Sequence, residues 1–152
     1  MTPTIRKRWF VVAAVVLSCS VSHHAAVAGP LDEAKARAHL DAVAAGNVDA
    51  LMRDYADDAY MEWVGGPLDG RYHGKTAIQA VWQKFIAANA GNPRPAKFSK
   101  LDAYSNPKGT SVEVKAEYGG VTPVKVLHVL SYRDGSLTTE VWQIAPAIQV
   151  GP

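Results

Sequence analysis

The chain has 152 residues, 16 basic and 14 acidic, with a formal net charge of +2 and one cysteine, so it has room for one ordinary domain. The basic excess lies at the very start, in Arg6, Lys7 and Arg8. Without those three, 13 basic residues face 14 acidic ones and the net charge is near −1, which removes the electrostatic support for a nucleic-acid or anionic-membrane partner.

That basic start is followed by an apolar run from Trp9 to Leu17 and by Ala26-Val27-Ala28, a small-x-small cleavage site before Gly29. These are the three parts of a secretory signal. A membrane span needs about 20 apolar residues, and Ser18, Ser20, Ser22, His23 and His24 interrupt the run too early. The sequence therefore predicts a signal peptide over residues 1–28, one domain over residues 29–152 and a periplasmic or secreted product. Val16-Leu17-Ser18-Cys19 is a loose lipobox, which leaves lipidation at Cys19 open as a variant, and Lys7-Arg8-Trp9-Phe10 is a poor match to a twin-arginine signal. Cleavage at Gly29 removes the only cysteine, so the mature domain has no disulfide and depends on packing.

The mature chain begins with helical spacing. Asp32 is a plausible N-cap, Ala36, His39, Leu40 and Val43 recur at three- and four-residue steps, and Gly46 closes the helix. Val48, Leu51, Met52 and Tyr55 make a second short amphipathic helix, and Ala59 to Val64 reads as a strand. Gly65-Gly66-Pro67 and Asp69-Gly70 form a loop. A third helix then places Ile78, Val81, Trp82, Phe85 and Ile86 on one face and ends by Gly91.

From Pro95 the period changes to two. Phe98 to Tyr104 reads as one strand, and in the next Val112, Val114, Ala116 and Tyr118 alternate with Ser111, Glu113, Lys115 and Glu117. Val124 to Tyr132 is apolar on both faces, which predicts a central strand whose outer face, with Leu127 and Val129, is covered by another subunit. Arg133-Asp134-Gly135-Ser136 is a hairpin turn, and Leu137 to Ile144 completes the sheet.

This order of elements resembles the nuclear transport factor 2-like superfamily, which includes SnoaL-like polyketide cyclases and ketosteroid isomerase. Three segments carry the likeness: Ala44-Ala45-Gly46-Asn47-Val48-Asp49-Ala50-Leu51, Tyr55-Ala56-Asp57-Asp58-Ala59, and Gly70-Arg71-Tyr72-His73-Gly74-Lys75-Thr76-Ala77-Ile78. It spans residues 31–146 and implies an α+β fold in which a curved antiparallel sheet wraps three N-terminal helices into a cone with an internal pocket. Members of the superfamily isomerise, cyclise, dehydrate, hydrolyse or only bind, so the fold alone does not choose among these activities. The resemblance places the isomerase general base at Trp63, which cannot take a proton, and the two oxyanion-hole positions at His39 and His128.

Periodicity independently puts His39 on the apolar stripe of the first helix and His128 on the inward face of its strand. Glu140 alternates with Trp142 and Ile144, which turns it inward; Leu137 and Val141 as the buried side would turn it out to water. If inward, burial raises its pKa towards the range useful for proton transfer. Tyr60, Trp63, Trp82, Tyr118 and Trp142 are candidate pocket walls, and Glu62 with Asp54, Asp57 and Asp58 reads as a solvated rim. The histidines and Glu140 come from distant elements without a ligand-spacing motif, so neither a metal nor a cofactor is expected.

The sequence thus predicts an exported pocket protein with a small apolar partner. Its chemistry would be proton transfer of the isomerase, dehydratase, cyclase or hydrolase type, with Glu140 as acid/base and His39 and His128 as polarising groups. The alternatives are a non-catalytic binding domain and a homodimeric interaction domain.

Overall fold

The computed structural model describes residues 30–151; the signal, its cleavage site before Gly29 and Cys19 lie outside them. Three helices, α1 (Pro30–Ala45), α2 (Val48–Met52) and α3 (Lys75–Ala87), accompany seven strands. The strands are β1 (Tyr55–Val64), β2 (Gly70–His73), β3 (Ala96–Phe98), β4 (Asp102–Asn106), β5 (Gly109–Tyr118), β6 (Val124–Arg133) and β7 (Ser136–Ile144). They form one sheet in the order β2-β1-β7-β6-β5-β3, with β4 pairing the other half of β5. The sheet is curved, unclosed and mixed: every pair is antiparallel except β1 with β7, which run parallel, where the sequence reading expected a wholly antiparallel sheet.

Local chemistry explains most of the boundaries. Gly46 takes a positive φ of 67° to end α1, and the Asn47 side chain then accepts from Ala50 N at 3.0 Å to start α2. Asp134 and Gly135, both at positive φ, make the two-residue turn between β6 and β7. Other boundaries differ from expectation. Tyr55 opens β1 rather than closing a helix, Gly70–His73 forms a short strand against β1, and the single strand expected from Phe98 to Tyr104 is divided into β3 and β4.

The inner face of the sheet and the apolar faces of α1 and α3 enclose one core, in which Leu40, Ile78, Trp82, Leu130 and Trp142 are fully buried. In β5, Val112, Val114, Ala116 and Tyr118 all point inward, as the period of two predicts. Leu127, Val129 and Val141 lie on the outer face, half-buried. No helix among the described residues is long and apolar enough to cross a membrane.

One irregularity decides which way β7 presents its side chains. Ser131 pairs with Thr139, but Tyr132 pairs with Leu137, so Thr138 is an extra residue in β7. Its hydroxyl donates to Ser131 O at 3.1 Å. A strict alternation would send Leu137 and Glu140 to opposite faces. The bulge puts both on the inner face, together with Trp142.

Candidate functional site

His39 from α1, His128 from β6 and Glu140 from β7 meet inside the core, all three buried and Glu140 and His128 fully so. His39 Nε2 lies 3.2 Å from Glu140 Oε1, and His128 Nε2 pairs with the same oxygen. The other oxygen, Oε2, accepts from the Tyr55 hydroxyl, which in turn accepts from Trp82 Nε1 at 2.9 Å. Five side chains from five elements therefore form one hydrogen-bonded chain ending on a single carboxyl group. Tyr55 and Trp82 were not expected in these roles. Tyr55 completed a helical stripe in the sequence reading, and an indole N–H leaves no signal in hydropathy.

Burial sets the charge states. Desolvation pushes Glu140 above the ordinary carboxylate range, with the charge and hydrogen bond of His39 pulling the other way. Desolvation, reinforced by repulsion from His39, holds His128 well below the usual histidine value. Burial thus favours the uncharged forms of both Glu140 and His128 side by side in the interior, an arrangement suited to sharing or passing a proton.

The same three ligand atoms lie within 4.8 Å of one another. A tetrahedral ion bound at about 2.0–2.2 Å spaces its ligands about 3.3 Å apart, so His39, His128 and Glu140 could hold one after small side-chain shifts. Spacing along the chain argues against a metal here because spacing motifs register only neighbours in sequence, whereas these residues converge across 101 positions.

The candidate walls divide into two groups. Trp63, Trp82, Tyr118 and Trp142 are buried and packed on each other: Trp63 stacks on Trp142 at 5.0 Å, Tyr118 stacks on Trp142 at 5.3 Å, and Trp82 meets Trp142 edge-on at 5.1 Å. Tyr60 is not a wall. It is 57% exposed and stacks on His73 at 4.2 Å outside the core, because β1 alternates and Tyr60 falls on its outward face. Asp57 and Asp58 are exposed, in keeping with a solvated rim.

A recess of about 260 Å³ opens beside this aromatic cluster, lined by Trp63, Leu68, Phe85, Val124 and Ile144, with Lys84 and Arg94 as its cations. None of the His–Glu cluster lines it. Between the two lies a single aromatic layer, since Trp142 touches Trp63 on the recess side and the His128 ring, 5.0 Å away, on the other. Arg94, between two prolines and outside any periodic stripe, was not anticipated in the sequence.

A family model described as a SnoaL-like domain matches residues 36–140. No curated protein matches the sequence. Among solved structures the chain is similar to an NTF2-like protein of unknown function from Pseudomonas putida KT2440, at 17% identity and a TM-score of 0.64, covering 74% of this chain and 82% of that one. It is also similar to an NTF-2 like protein of unknown function from Burkholderia xenovorans LB400, at 21% identity and a TM-score of 0.58, covering 80% and 88%. A ketosteroid isomerase-like protein from Erwinia carotovora atroseptica matches at 20% identity and a TM-score of 0.58, covering 75% and 94%. At these identities the likeness is one of fold.

Proposed function

The chain belongs to the SnoaL-like family, within the nuclear transport factor 2-like superfamily, and we propose that it is an exported pocket protein that takes a small, largely apolar molecule into the recess beside Trp63 and Phe85. The observation that carries this reading is the recess itself, a concave apolar surface with few polar groups, which is the usual form of a small-molecule site. Its volume, at about 30 Å³ per water, is that of about nine waters, so the ligand has about ten non-hydrogen atoms. Trp63 in the wall supplies the assay. Octanamide, as a neutral apolar probe, quenches or shifts tryptophan fluorescence saturably, and Ala88→Trp, which fills the recess, abolishes the response. An unsaturable response, or one unaffected by Ala88→Trp, removes the reading.

A second reading is favoured by the convergence of His39, His128 and Glu140. In it Glu140 takes a proton from a carbon next to a carbonyl and returns it at another position, while the histidines orient the carboxyl group. Trp142 must swing aside to admit the substrate. Deuterium wash-in at the α-carbons of 2-octanone in D2O, followed by NMR, tests this: wild type accelerates exchange and Glu140→Gln does not. Equal exchange with and without protein eliminates it.

A further inference from the structure

The recess next to Trp63 carries two cations and no carboxylate. Lys84 and Arg94 both line it, and no Asp or Glu does. Lys84 is exposed and solvated, but Arg94 is only 5% exposed and forms no ion pair among the described residues. Its Nη1 donates to Gly119 O at 2.8 Å and Thr122 O at 3.1 Å, its guanidinium lies 4.6 Å over the Phe85 ring, and its buried Nε has no partner. Two carbonyls and a ring face orient the group, yet none neutralises it. A buried charge left without a counter-ion is costly; here the place for a counter-ion is the recess.

The group is also held firmly. Arg94 N donates to Ala44 O at 2.7 Å at the end of α1, and Gly119 N donates to Pro95 O at 2.7 Å, which ties the loop between β5 and β6 to the arginine's own segment. Asn89 clamps the same loop by accepting from Val121 N at 2.9 Å. At Gly120 a β-carbon would come within 2.4 Å of Asn89 Oδ1 and 3.1 Å of Arg94 Nη1, so only glycine lets the backbone pass this close. A pre-set guanidinium at one side of an apolar recess is the arrangement that reads a carboxylate on an apolar body.

We propose that the ligand of this recess is an apolar monocarboxylate of about ten non-hydrogen atoms, such as a medium-chain or aryl-alkyl acid, with its carboxylate on Arg94 and its body against Trp63, Phe85 and Ile144. The inference rests on the recess being the binding site and specifies the chemistry of its occupant. Lys84 adds long-range attraction that salt screens, whereas the Arg94 contact is shielded.

Octanoate and octanamide, alike in size and differing in charge, test it on the intact mature protein by isothermal titration. Octanoate is expected to bind at least tenfold more tightly than octanamide. Arg94→Gln is expected to abolish that preference, and Lys84→Gln to reduce only its salt dependence. Because Arg94→Gln loosens a loop anchor, the wild-type protein supplies a second readout: the Arg94 Nε–H resonance shifts on adding octanoate and not on adding octanamide. Octanamide binding as tightly as octanoate, or an Arg94 resonance unmoved at saturating octanoate, overturns the carboxylate assignment while leaving the recess reading intact. Failure of both probes to bind overturns the two together.

Discussion

Replacing Glu140 by leucine removes the one hydrogen-bonding group that three buried partners share. The Tyr55 hydroxyl, His39 Nε2 and His128 Nε2 would be left facing an apolar side chain in an interior with no water access. Each buried polar group left unpaired costs about 1–3 kcal/mol, so the loss is about 3 kcal/mol at the low end and lowers Tm by about 10 °C for a domain of this size. Thermal unfolding followed by circular dichroism measures it. The Glu140→Gln variant separates charge from connectivity through its pH dependence. Burial raises the Glu140 pKa, so the folded chain keeps a proton that the unfolded chain releases near 4.5. Wild-type stability due to this group is therefore present below that value, declines as pH rises towards the folded pKa, and is flat above it. Glu140→Gln has no such decline and gains on wild type through that window by up to about 1.4 kcal/mol per pH unit. His128 acts in the opposite direction, since its lowered pKa makes stability fall as pH drops below 6.5, so the informative quantity is the difference between variant and wild type. A Glu140→Leu protein melting within about 2 °C of wild type, together with a pH-independent difference for Glu140→Gln, would refute the picture of a buried carboxyl group on which its neighbours depend and whose uncharged form burial favours.

Tyr55→Phe breaks the chain in its middle, orphaning Trp82 Nε1 and removing the donor to Oε2; urea denaturation should show a loss of about 1–3 kcal/mol with an unchanged m-value. The half-buried outer face of Leu127, Val129 and Val141 is proposed to pair with a second copy, so Val129→Asp should yield monomers in sedimentation velocity; a monomeric unmodified domain at tens of micromolar ends that idea. For export, intact mass of the released protein is expected to place the first residue at Gly29, and a lipid-modified Cys19 would contradict it.

Periodicity was enough to place His39, His128 and the buried face of β5, because in each case the side chain continues an unbroken stripe of the helix or strand that carries it. Glu140 was different. Its direction depends on the single extra residue at Thr138, and two incompatible alternations run through β7 on either side of that bulge, so Leu137 and Trp142 gave contradictory votes. Tyr60 was misplaced for the converse reason: its aromatic character suggested a wall, while the strand's alternation with Met61 and Trp63 already put it outside. Arg94 was invisible because its burial comes from a loop closing over it, through bonds to Gly119 and Thr122 that no local pattern encodes.

The parallel pairing of β1 with β7 brings the last strand of the domain beside the first. As a result His39 waits 101 residues and Tyr55 waits 85 for the carboxyl group that satisfies them. Until β7 docks, α1 carries a polar ring on its apolar stripe with nothing to bond to, and the sheet lacks the strand that joins β1 to β6. Contacts this distant in sequence are closed late and slowly. A chain cut short before Ser136 is therefore expected to lack both the strand that unites the two halves of the sheet and the carboxyl group that joins α1 to β6 and β1.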